Sequence, residues 1–219
     1  MSAEGTLRDG SPAGFELIET LRWEPAEGFV RLERHLARLY ASAAVLGFAV
    51  DPETVDAALR EGADGPVPLR VRLTLARDGT VDVTAAPFEP VPADTVWTLR
   101  IAEARLASAD PLLRHKTTRR QAYEAARAEF ARDEADEVLL LNERDEVCEG
   151  TITSVFLDIG EPALLTPPLD CGLLSGVLRA QLLDEGAARE AALTEADLHA
   201  GKAIFVGNSL RGLIPARLA

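Results

Sequence analysis

Hydrophobic and polar positions fall into short blocks whose period changes along the chain. Residues 15–23 (FELIETLRW) alternate at period two and predict a strand, and Pro25 to Gly28 supply a turn before a second strand at 29–32, making a hairpin. Residues 33–48 switch to helical period, with Leu36, Leu39, Tyr40, Ala43 and Leu46 on one face and Gly47 near the stop. Residues 51–61 predict another helix, Asp51 capping it and Pro52 standing at its first position. Period two returns at 68–76, where Leu69, Val71, Leu73 and Leu75 oppose Arg70, Arg72 and Thr74. A turn at 77–80 leads into a return strand at 81–85, and 97–102 predicts one more strand.

After prolines 87, 90 and 92 the chain runs through a polar link, ASADP, at 107–111. This divides it into a small α/β domain (1–106), a linker (107–111) and a larger domain (112–219). In the larger part 118–133 predicts a helix, 137–141 a strand ending in a turn at 142–145, 152–159 a strand, and 164–166 a short strand before Pro167 and Pro168. Helices at 175–185 and 194–200 follow, then a buried strand at 203–206, a polar turn at 207–211 and a last apolar stretch at 213–218. The first 14 residues, rich in Gly, Ser and charge, read as loose. Helices and strands mix throughout, which predicts an α+β or α/β fold in two domains.

Charge narrows the partners. The 219 residues carry a formal net charge of −13, so no excess of basic side chains is available for nucleic acid or an anionic membrane surface. A small molecule or another protein fits better, and an anionic ligand must find a local basic pocket. The first residues lack the apolar core of a signal peptide and no apolar run approaches bilayer length, so a cytoplasmic location with no membrane span is expected. Two cysteines, Cys148 and Cys171, and three histidines make no metal-ligand pattern; the cysteines read as reduced and structural, and no metal site is expected.

Chemistry centres on LLRHKTTRRQAY, residues 112–123. Lys116 lies between an apolar run and an Arg-rich segment, where burial and Arg114, Arg119 and Arg120 would lower its pKa and leave a nucleophilic amine. A solvated helix start is the commoner explanation of such a lysine. Arg38, one turn after His35 on the first helix, has the fork that grips a phosphate, or else belongs to the helix's wet face. Glu149, where a turn meets an apolar strand, could hold a ring-nitrogen proton or be a solvated turn residue. Gly176 and Val177 open a helix whose amides and dipole favour an anion, as at any helix start. Asn208 and Ser209 follow the strand at 203–206, where loops face ligands. Arg211, Arg114 and Arg22 are candidates for a substrate carboxylate.

Taken in order, HLARL followed by ASAAVLG, RHKTTRR, CEGTITSVF, TPPLDCGLLSGVLR and GNSLRGLIP resemble the class IV aminotransferase-like proteins, the fold-type IV enzymes of pyridoxal 5′-phosphate (PLP). The resemblance runs from about Phe15 to Pro215 and is closest to the branch containing 4-amino-4-deoxychorismate lyase. It implies that Lys116 forms the Schiff base with PLP and shuttles protons. Arg38, the amides of Gly176 and Val177, and Ser209 hold the phosphate, and Glu149 pairs with the pyridine nitrogen. Asn208 and Arg120 match the lyases, and Gln121 stands where aminotransferases of this fold commonly have a tyrosine. The chain lacks the further strand and Gly-Asp-Gly segment that the family usually has ahead of 15–23. The expected activity is cleavage of 4-amino-4-deoxychorismate to 4-aminobenzoate and pyruvate, in a homodimer functionally coupled to aminodeoxychorismate synthase. A branched-chain or D-amino acid aminotransferase is the alternative, and a non-catalytic ligand-binding relative the second.

Overall fold

The computed structural model describes residues 14–219. The expectations of a loose N-terminus and of a missing first strand concern residues outside the described ones.

Strand β1 (Leu17–Glu24) is the centre of the first half. It pairs antiparallel with β2 (Gly28–Phe29) and, from Leu17 to Trp23, with β3 (Leu69–Leu75). Strand β3 then turns into β4 (Val81–Pro87), giving a sheet of order β2-β1-β3-β4. The predicted second hairpin strand stops at Phe29, because Leu32 already begins helix α1 (Leu32–Leu46). Helix α1 ends as Gly47 enters the left-handed region (φ 71°) and returns its N–H to Ala43. Helix α2 (Pro52–Gly62) starts where the Asp51 carboxylate accepts from the Glu53 and Thr54 amides. Leu17 and Leu21 of β1 and the alternate residues Leu69, Val71, Leu73 and Leu75 of β3 pack with Leu39, Val55 and Leu59 of the helices into one core. Each such side chain contributes about 1.5–3 kcal/mol on burial.

The second sheet has eight strands, ordered β10-β9-β8-β11-β12-β5-β6-β7. They are β5 (Trp97–Leu106), β6 (Glu137–Asn142), β7 (Val147–Gly150), β8 (Ser154–Asp158), β9 (Leu164–Thr166), β10 (Ala188–Glu190), β11 (Ala203–Asn208) and β12 (Gly212–Leu218). Helices α3 (Gln121–Ala128), α4 (Val177–Asp184) and α5 (Glu195–Ala200) accompany it. The linker expected at 107–111 follows β5, the first strand of this second sheet. Strand β5 pairs in parallel with β12 and β6 and buries Leu99, Ala102 and Leu106, so the chain passes between sheets at 88–96, through Pro90 and Pro92.

Two further corrections bear on the site. The helix expected at 118–133 begins only at Gln121, because the preceding residues are extended beside β1: Ile18 donates to the Lys116 carbonyl and Thr118 to that of Glu16, each at 2.9 Å. The strand expected at 152–159 is β8 alone, starting only at Ser154, and a separate strand, β7, precedes it across a break at 151–153. There the buried Glu137 carboxylate accepts the amides of Thr151 and Ile152 and the hydroxyls of Thr151 and Thr153. Strand β10, three residues long, has no periodic signal of its own. Among the described residues no helix is long and apolar enough to cross a membrane.

Candidate active site

A cavity of about 490 Å³ opens where the two sheets meet. Lys116 reaches it from the extended segment 115–118, which is fastened to β1 by the two backbone bonds above and by Glu16 N–H donating to Thr118 Oγ1 at 2.9 Å. The backbone that carries the lysine is thus fixed against the edge of β1, next to the bridge between Leu17 and Thr117. Burial and the neighbouring Arg38 push its pKa down to about 8, against the opposing influence of Glu19. A usable fraction of free amine therefore exists near neutral pH.

One end of the cavity is an ionic cluster on α1 and β1. Glu19, 2% exposed, accepts from Arg38 Nε at 2.9 Å and Nη2 at 2.6 Å, while Arg38 Nη1 donates to the Ser175 carbonyl at 3.0 Å. Burial alone would raise the Glu19 carboxyl; Arg38 and His35 outweigh it and hold it at about 2. His35 bonds Glu19 through Nδ1 and Ser209 Oγ through Nε2. Arg31 fixes the same loop, donating through Nη1 to the Ser209 carbonyl and through Nε to Gln181.

Glu149 forms the opposite wall. The Tyr123 hydroxyl donates to its Oε1 at 2.7 Å and the Leu174 amide to the same oxygen at 3.1 Å. Burial pushes the carboxyl up to about 7, against the pull of these two donors and of Lys116 and Arg120. A cation placed at this carboxylate would draw it back to the ionised form. Arg120 stacks over the Tyr123 ring, its Cζ 4.8 Å from the centroid, and donates to the Thr151 carbonyl, so ring and carboxylate are braced together.

The structure brings Lys116, Arg38, Glu149, Gly176, Val177, Asn208, Ser209 and Arg211 to this cavity. Arg22 and Arg114 lie elsewhere: Arg22 pairs with Glu24 and stacks on Phe88, and Arg114 pairs with Asp170. The Gly176 amide donates to the Leu174 carbonyl at 2.8 Å; Val177, first residue of α4, presents an amide that has no intrahelical acceptor. The Asn208 side chain ties its own loop, donating to the Ile152 carbonyl and accepting from the Leu210 and Arg211 amides. Sequence reasoning missed Glu19, whose signal was a carboxylate between Leu17 and Leu21 on the apolar face of a strand. It also passed over His35 and Tyr123, and it missed Arg70, which lines the cavity from β3.

The donor set fits PLP. An arginine, a hydroxyl and a helix-start amide at one end suit a phosphate, and Glu149 at the other suits a ring nitrogen, with Lys116 also facing the cavity. Gly176 leaves no room for a side chain, since a Cβ there would stand 2.5 Å from Ser154 Oγ.

The family model described as "Amino-transferase class IV" matches residues 16–219. The chain is 32% identical over 187 residues to the "Putative aminodeoxychorismate lyase" of Schizosaccharomyces pombe, covering 82% of this chain and 80% of that protein. Among solved structures, a "Putative amino-acid aminotransferase" from Mesorhizobium loti superposes with a TM-score of 0.93 at 59% identity, over 94% of this chain and all of the other. The 4-amino-4-deoxychorismate lyase of Pseudomonas aeruginosa gives 0.78 at 27% identity, over 100% and 88%. The fold and the family match over nearly the whole described chain agree, and the chain belongs to the class IV aminotransferase family of PLP-dependent enzymes.

Proposed function

We propose that the protein is a lyase that converts 4-amino-4-deoxychorismate to 4-aminobenzoate and pyruvate. The observation that carries this reading is the set of arginines Arg70, Arg119, Arg120 and Arg211 on the cavity wall, besides the Arg38 assigned to phosphate. The substrate has two carboxylates, and guanidinium forks bind carboxylates in pairs of hydrogen bonds. The Arg211 backbone N–H donates to Asn208 Oδ1, and its guanidinium lies over the Trp97 ring, Cζ 6.0 Å from the centroid. The likeness to the Schizosaccharomyces pombe protein and the match of Arg120 and Asn208 to the lyase pattern support the same reading.

When bound, PLP supplies an aldehyde for the substrate amine and a ring that accepts electrons. Arg38, Ser209 and the Val177 amide hold its phosphate. Glu149, oriented by Tyr123 and Leu174, keeps the proton on the ring nitrogen. Lys116 Nζ, as the free amine, takes the proton from the ring carbon that bears the substrate nitrogen. Breaking of the adjacent carbon–oxygen bond makes the ring aromatic, and Lys116, now an ammonium, returns a proton to the methylene carbon of the departing enolpyruvyl group. The enzyme works as a homodimer in this reading, supplied by a synthase that makes the amino substrate.

The test is release of both products from aminodeoxychorismate with PLP present and every oxo acid omitted. Products that require Lys116 support the lyase. No product from a yellow, folded protein rejects it and favours the second reading, an aminotransferase of amino acids, which the 59% identity to the Mesorhizobium loti protein supports. That activity would appear only when an oxo acid acceptor is added.

A further inference from the structure

His35 is 1% exposed and bonded at both ring nitrogens, between the carboxylate that holds Arg38 and the hydroxyl of Ser209. Glu19, ionised by its two basic neighbours, can only accept, so Nδ1 carries a proton in every state. The 2.8 Å contact between Nε2 and Ser209 Oγ then has two possible directions. With Nε2 bare, the Ser209 hydroxyl points its proton at the ring and turns its lone pairs to the cavity, where they would repel an anion. With Nε2 protonated, the ring donates to Oγ and the hydroxyl proton is released toward the cavity.

Charge points the same way. Glu19 faces Arg38 and His35; Lys116 senses Glu19 from across the cavity, and Arg31 donates to the Ser209 carbonyl. If His35 is neutral, Glu19 cancels Arg38 and the trio of His35, Glu19 and Arg38 carries no net charge. If it is protonated, the trio keeps one positive charge facing the phosphate end. We propose that His35 is a positioning residue that holds the cofactor phosphate as an imidazolium, with Ser209 Oγ relaying its proton toward the phosphate and Glu19 stabilising it from behind. The inference rests on Arg38 and Ser209 facing the phosphate, and holds equally for a lyase or an aminotransferase.

The direct test is nitrogen-15 NMR of the PLP-loaded protein with labelled histidine. His115 and His199 are the only other histidines, and the variants H115Q and H199Q assign their signals, leaving those of His35. Both ring nitrogens of His35 are expected to be protonated near pH 7; an unprotonated Nε2 in the loaded protein overturns the proposal. H35Q should bind PLP roughly tenfold more weakly, the loss of one charge-assisted hydrogen bond, and wild-type affinity in folded H35Q also overturns it. Phosphorus-31 NMR separates the two layers of the argument. If S209A leaves the resonance of bound PLP unmoved, the phosphate assignment itself fails; if S209A moves it while His35 is neutral, only the His35 proposal fails.

Discussion

At the scale of single residues, the two reactive groups are held in forms that the fold disfavours. Glu149 has a folded pKa raised to about 7 by burial, above the unfolded value of 4.5. Its stabilising contribution is fully present below about pH 4.5 and is lost as pH rises through about 7, so at pH 8 the cofactor-free protein carries a penalty on the order of 3 kcal/mol. E149Q removes the charge yet keeps an oxygen for the Tyr123 and Leu174 donors. In cofactor-free protein at about pH 8 it should raise the unfolding free energy read from urea titration by up to that amount, and in loaded protein it should lower turnover at least a hundredfold. A destabilised E149Q would show that the carboxylate is ionised at no net expense.

Lys116 carries the opposite sign. Its amine, lowered to about 8 by burial and Arg38, becomes free as pH rises, so the rate at which cofactor-free protein turns yellow with PLP should climb through about pH 8 and level off. A rate flat from pH 6 to about 9 would contradict a titrating lysine. K116A should form no covalent link with PLP at any pH, without necessarily losing the bound cofactor, and release no product. Lys116, Arg38, Glu149 and Ser209 were nameable from motifs; Glu19 was not, because its function is set by Arg38 and His35 on another element, which strand periodicity does not contain.

At the scale of elements, legibility followed local period. The strands alternating over a single core, β1 and β3, and helices α1 and α2, with their own caps, were readable from side-chain spacing alone. The extended run 115–118 and the break at 151–153 were not, since each is stabilised by partners distant in sequence: β1 for the first, Glu137 for the second. That break is also where the site is set, because Gly150 lies between Glu149 and the Glu137 cradle. A Cβ at Gly150 would stand 2.4 Å from Thr153 Oγ1 and 2.8 Å from the Glu137 carboxyl carbon, both hydrogen-bonded in place. G150A should therefore cost about 1–3 kcal/mol in urea unfolding and weaken PLP binding with it. An unchanged midpoint would mean the cradle yields, and that it does not position Glu149.

At the scale of the whole molecule, the site is the seam. Glu19, His35, Arg38 and Arg70 come from the small sheet and its helix; Glu149, Ser209 and Arg211 come from the large sheet and its loops, with Lys116 pinned between them. Without cofactor this seam holds several cations around one another, and the pairing of Arg38 with Glu19 neutralises only part of them. PLP brings a phosphate and a covalent link to that place, and at a hundred times its Kd it stabilises the folded state by about 2.7 kcal/mol. The gain falls on contacts between the halves, so it should change cooperativity as well as midpoint. The two tryptophans allow this to be read separately, because Trp23 lies on β1 and Trp97 on β5. In W97F and W23F, each with one reporter left, the Trp23 half should melt first when PLP is absent, its core being the smaller. Saturating PLP should bring the two midpoints together at a higher temperature. Midpoints that coincide without PLP would show that backbone bonds from 116–118 to β1 already couple the halves, and that the cofactor adds stability but no cooperativity.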